Sequence, residues 1–188
     1  MIWFTSDLHF GHANIIKYCD RPFSDVGRMD AALISAINAR VLYGDTLYVL
    51  GDFAKGKSLE SVCGYRDRIV CRDVRLVRGN HDKRFADAES PFQEELDYVE
   101  LTHREKRICC MHYPMLSWHG MERGSIMLHG HIHAGKAYNL GNRSNGVLRF
   151  DAGVDANGYA PVSADEVVRF FEGVEPSGGH HWREWGGR

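Results

Sequence analysis

Three short apolar runs, "IWFT", "TLYVL" and "DVRLV", each stop at a breaker: Ser6-Asp7, Gly51-Asp52 and Arg78-Gly79-Asn80. Runs of this length bounded by glycine or polar residues read as buried strands. Between the first two, Met29, Leu33, Ile37 and Val41 recur every four residues beside Ile34, which is the spacing of an amphipathic helix. A shorter helix is expected over residues 14–19. Between the second and third runs, "SLESVCGYRDRI" is a helix candidate weakened by Gly64. The order strand, helix, strand, helix, strand restricts the chain to α/β layering around a largely parallel sheet. In such a sheet the loops after the carboxyl ends of parallel strands gather on one side, where ligands bind.

The second half has a different rhythm. "DYVEL", "RICCM" and "SIMLH" are short strand candidates, and "THREKR" has the look of a hairpin connection. Asn145-Gly146 in "NRSNG" is a strong turn signal before the strand "VLRFDAG". Ser163 and Glu166 form a capping-box pair that opens a last helix carrying Val167, Val168, Phe170 and Phe171. Residues 173–188 are rich in turn formers and lack periodicity, so a loosely ordered tail is expected after one domain spanning 1–172.

The 188 residues suffice for one domain with a real core. A net charge of −2 gives no field for nucleic acid in general, though nucleotides remain open as substrates. No window approaches the ~20 apolar residues of a membrane span. "MIWFTSD" has neither the basic start nor the apolar run of a signal peptide. The five cysteines, Cys19, Cys63, Cys71, Cys109 and Cys110, form no CxxC pair. Buried, reduced thiols in a cytoplasmic protein are therefore expected.

Metal-capable side chains follow the apolar runs: "SDLHFGH", "GDF", "GNHD", "MHYP" and "LHGHIH". Each alone has a plain reading. Asp7 and His9 could be a solvated pair at a strand end, and Asp52 and Asn80 could be turn residues. His112 could be a satisfied histidine. His131 and His133, two apart, would point the same way from an extended segment. Together, Asp7, Asp52, Asn80-His81-Asp82, His112 and His131-x-His133 resemble the calcineurin-like metallophosphoesterase superfamily, whose motifs D-x-H, G-D, G-N-H-[DE], H and G-H-x-H run in this order. Met111 stands where many members have glycine before the histidine.

The resemblance implies an α/β fold, a four-layer α/β/β/α sandwich of two mixed sheets flanked by helices, with a dinuclear metal centre at one edge. One cation would take Asp7, His9 and His133, the other Asn80, His112 and His131, and Asp52 would bridge them. Mixed imidazole and oxygen donors without thiolate suit Mn²⁺ first, and Fe, Ni²⁺ or Zn²⁺ next. His129 has no place in that set and is expected to be structural or to orient a ligand.

The expected activity is hydrolysis of a small phosphodiester, cyclic nucleotides included, by a hydroxide activated between two cations ~3.5–4 Å apart. His81, beside Asp82, would act as general acid. His12 and the Arg21 guanidinium of "DRPF" are candidate phosphate contacts. Tyr113, Trp118 and His119 are candidates for a wall against a base or aryl group, and His180 and His181 read as solvated. Alternatives are a phosphomonoesterase on a phosphorylated metabolite, a nuclease or protein phosphatase, and a non-catalytic scaffold on the same fold.

Overall fold

The computed structural model describes residues 1–55, 58–83 and 89–177. The first sheet contains β1 (Ile2–Thr5), β2 (Thr46–Val49), β3 (Asp73–Val77), β4 (Glu94–Leu96) and β9 (Val162–Ser163), in the order β4-β3-β2-β1-β9. β1 to β4 run parallel and β9 pairs antiparallel with β1, Phe4 opposite Val162. The second sheet, in the order β5-β6-β7-β8, contains β5 (Val99–His103), β6 (Lys106–Cys110), β7 (Ile126–His129) and β8 (Arg149–Asp151). Both sheets are mixed, since β5 and β6 form an antiparallel hairpin while β6, β7 and β8 are parallel. The hairpin turns at Arg104 and Glu105, both with positive φ, which matches the twist of the flanking strands.

Alternation along the strands assigns the two cores. Trp3, Leu47, Val49, Val74 and Leu76 face α1 (Ala13–Tyr18), α2 (Val26–Arg40) and α3 (Leu59–Arg66), where Met29, Leu33 and Ile37 are buried as their spacing predicts. Phe4, Tyr48, Leu50 and Val77, from the opposite face, pack with Ile108, Cys110, Leu128 and Phe150 of the second sheet. The two sheets are thus stacked, with helices outside them. Among the described residues no helix is long and apolar enough to cross a membrane.

α4 (Lys136–Ser144) lies where only a turn was anticipated. Its single buried residue is Asn139, whose amide clasps Asp151 at both backbone groups, 2.7 Å from N and 3.0 Å from O. The Asn145-Gly146 turn ends this helix, Gly146 taking φ +69°. β4 and β9 are too short to have shown as apolar runs. The first part of the expected tail is packed: Val174 lies against the second core and the Ser177 amide donates to Gly146 O at 2.8 Å. Residues 178–188, with His180 and His181, lie outside the described residues.

α5 (Ala164–Phe170) carries the expected capping box, Ser163 Oγ accepting from Glu166 N at 3.1 Å and Glu166 Oε2 accepting from Ser163 N at 2.8 Å. Ser163→Ala leaves that amide without its cap and is expected to cost about 1 kcal/mol. Denaturant unfolding followed by circular dichroism checks this, and a midpoint equal to wild type counts against it.

Candidate metal centre

The loops after β1, β2, β3, β6 and β7 meet at one edge of the stacked sheets. Backbone bonds tie them together: Asp7 N donates to Gly51 O at 3.0 Å, His9 N to Asp52 O at 2.9 Å and Gly130 N to His112 O at 2.9 Å. Among the described residues nine that are not glycine have left-handed backbone, and Asp7, His9, Asp52, His131 and His133 are five of them. Such a conformation costs about 1–3 kcal/mol per residue and persists where the surroundings over-determine it, commonly at functional sites. Two glycines make the approach possible. A Cβ at Gly130 would lie 1.9 Å from Ser6 Oγ and 2.4 Å from Asp7 Oδ2, and one at Gly51 would lie 2.2 Å from His112 Nδ1.

The donor atoms converge. His9 Nε2 lies 3.3 Å from His133 Nε2 and 3.5 Å from Asp52 Oδ2. On its other side Asp52 Oδ2 is 3.6 Å from His112 Nε2, which is 3.0 Å from Asn80 Oδ1. His133 Nε2 is 3.9 Å from Asp7 Oδ1. The ligand atoms of Asp7, His9 and His133 fall within 4.8 Å of one another, as do those of Asp7, Asp52 and His112. His131 stands over His112 with ring centres 5.0 Å apart, and its backbone amide donates to the Asp7 carboxylate at 3.0 Å.

A second ring of contacts aims these groups. His112 Nδ1 donates to Leu50 O and His133 Nδ1 to Asp155 Oδ2, at 2.9 and 2.8 Å, which leaves both Nε2 lone pairs directed at the centre. Asp155 escaped the sequence reading. It also takes both forks of Arg21, at 2.8 Å each. Arg21 is buried and its remaining donors reach Asp7 O and Leu8 O, so it braces the ligand loops from beneath and does not face a phosphate. Asp82 is likewise turned inward: its carboxylate accepts the amides of Asp52, Phe53 and Gly79 at 2.7, 2.9 and 2.8 Å. The sequence set it beside the His81 ring; the structure makes it the clasp between two ligand loops. His129 is fully buried, with Nδ1 donating to Gly130 O and Nε2 accepting from Tyr138 OH. Asp155→Asn should weaken metal binding about 10–100-fold through the orientation of His133. Metal titration against a competing chelator measures this, and an unaltered affinity would remove the role.

His81 is exposed above this floor, its amide donating to Asp52 Oδ1 at 2.8 Å and its ring 5.3 Å from that of His9. Tyr113 is 41% exposed with its ring 4.6 Å from that of His131. His12 is buried behind His9, Nδ1 to Nδ1 3.4 Å. Trp118 belongs to the second core, its indole donating to Ser125 O. His119 pairs with Glu100 and Arg107 on the surface of the β5–β6 hairpin. Neither of these two lines the centre.

The electrostatics suit a cation. Burial pushes the Asp7 carboxyl up to about 7; His133 opposes this, while the carboxylates of Asp151 and Asp52 add to it. Burial pulls His9 down to about 2, helped by His133 and Arg21, and lowers His112 against the pull of Asp52. Burial also works against charge on His133, but its bond to Asp155 and the nearby Asp7 outweigh this and raise it. Neutral His9 and His112, beside an Asp7 carboxyl that is costly to ionise unaided, form a set that divalent cations complete. The nitrogen and oxygen donors of Asp7, His9, Asp52, Asn80, His112, His131 and His133 fit Mn²⁺, Fe, Ni²⁺ or Zn²⁺.

Fold and donor set together describe an α/β protein with a candidate metal centre at the strand ends. A model of the calcineurin-like phosphoesterase family matches residues 1–155, and the chain belongs to that family. Membership makes it a metal-dependent phosphoric ester hydrolase by class. It is 33% identical over 171 residues to an uncharacterized protein of Methanocaldococcus jannaschii, covering 91% of each chain. The gene 66 protein of Mycobacterium phage L5 is 26% identical, over 95% of this chain and 98% of that one. A crystal structure of a protein of unknown function from Aquifex aeolicus superposes with a TM-score of 0.70 at 26% identity, covering 90% of this chain and 98% of that one.

Proposed function

We propose that the chain hydrolyses small phosphodiesters, cyclic nucleotides among them, in preference to phosphomonoesters. The observation that carries this is the Asp52 carboxylate between His9 and His112, with Asp7 and His133 at the same centre. Asp7, His9 and His133 would hold one divalent cation, Asn80, His112 and His131 a second, with Asp52 shared. Manganese is the first candidate metal. Cations there supply positive charge that lowers the pKa of a water and offsets charge developing on phosphoryl oxygens.

The chain's own residues do the rest. His81, exposed on its loop over the centre, protonates the leaving oxygen. Asp82 takes part by holding that loop to the Asp52 loop, accepting the amides of Asp52 and Phe53 there and that of Gly79 in its own loop. Tyr113 offers an aromatic face to the organic part of the ester, which favours a diester with a group on each side of phosphorus. A cytoplasmic home suits five free cysteines, three of them buried. Metal analysis followed by hydrolysis of bis-p-nitrophenyl phosphate and p-nitrophenyl phosphate with Mn²⁺ tests the reading. About two ions per chain and faster cleavage of the diester are expected. Both ions bound with neither ester cleaved would point to a scaffold instead.

A further inference from the structure

Lys55 follows the Asp52 loop, and its ammonium is held in an unusual way. Nζ donates to His12 Nε2 at 2.9 Å, and the backbone amide is fixed by Phe10 O at 2.9 Å. The imidazole that receives it is buried, 5.3 Å ring to ring from His9 and 6.2 Å from His81. Among the described residues no carboxylate is paired with Lys55. An imidazole acceptor carries no negative charge, so among the described residues the exposed Lys55 ammonium at the rim of the metal centre has no ion-pair partner. The lysine stem is partly ordered before any ligand arrives, which lowers the entropy cost of binding an anion there. Beside it, the exposed ring of Tyr18 meets His12 edge-on at 6.3 Å.

The position selects which anion this charge can take. His9 turns Nε2 toward Asp52 and Nδ1 toward His12, and Lys55 lies beyond His12. Two imidazole rings, those of His12 and of the ligand candidate His9, therefore stand between the ammonium and Asp52. The ammonium is too far out for the phosphoryl group being cleaved and is placed for a neighbouring one.

We propose that Lys55 is a specificity-determining residue that binds a second phosphate of the substrate, one ester unit from the scissile phosphorus. Among the phosphodiesters proposed above, those of nucleotide type that carry a second phosphate group are then favoured, Tyr18 lying alongside the base or sugar. This rests on the hydrolase reading above, but its test does not. With the manganese-loaded protein, adenosine 3′,5′-bisphosphate and AMP are compared by titration calorimetry. Wild type is expected to bind the bisphosphate about tenfold more tightly, the worth of one charge-assisted contact. Lys55→Met should erase that margin and Lys55→Arg should keep it. Equal affinities in wild type, or a margin that survives in Lys55→Met, would overturn the proposal. Wild-type turnover of bis-p-nitrophenyl phosphate, which has one phosphorus, separates the two ideas. Turnover without a margin removes only the role of Lys55; a margin without turnover of any phosphoester removes only the hydrolase.

Discussion

Asp52→Asn is expected to lower metal occupancy from about two ions per chain to about one or fewer and turnover by about 10²–10³-fold or more. The substitution is nearly isosteric, and its remaining carbonyl oxygen can still accept the His81 amide that Oδ1 accepts in wild type at 2.8 Å. The loops should therefore keep their shape. What disappears is a negative charge 3.5 Å from His9 Nε2 and 3.6 Å from His112 Nε2, one imidazole from each proposed ligand set. Metal analysis on the purified variant, alongside steady-state hydrolysis of bis-p-nitrophenyl phosphate, gives both readouts. Full occupancy with wild-type turnover would mean that Asp52 is not shared.

The second large effect is expected at His81. Its ring is exposed and its contact with the Asp52 carboxylate is made by the backbone amide, so His81→Ala should fold and bind metal as wild type does. Turnover should fall about 10²–10⁴-fold, the usual worth of a positioned proton donor. The size of the loss should also depend on the leaving group. An alkoxide needs a proton as it departs, whereas p-nitrophenolate hardly does, so the deficit should be much smaller on the nitrophenyl ester. A loss that is the same for both leaving groups would assign His81 to charge stabilisation on the phosphoryl group instead. No loss at all would leave it as a loop residue.

These two experiments probe residues that were legible in the chain, and their neighbours show where legibility ended. The motif order from Asp7 to His133 names donor types that few other arrangements need, each placed after an apolar run. Arg21 and Asp82 were equally visible as residue types, but their direction was not. The Arg21 fork meets a carboxylate 134 positions away, and no local pattern could announce that Asp155 would spend it. The inward turn of Asp82 depends on three amides presented by two separate loops. α4 escaped for a different reason. The residue it buries is the polar Asn139, which completes the backbone of β8, so a search for apolar residues that a core would bury passes it over.

The chain by itself determined the alternation of buried strands and covering helices and the identity of the donors at the strand ends. These follow from local rules, since side-chain period and breaker residues act over a few positions. Which donors turn to one point, and which charged neighbours are used up beneath them, was decided only by the fold. Five of the seven ligand candidates sit in left-handed backbone, a conformation that short-range preference disfavours and that contacts between distant loops must impose.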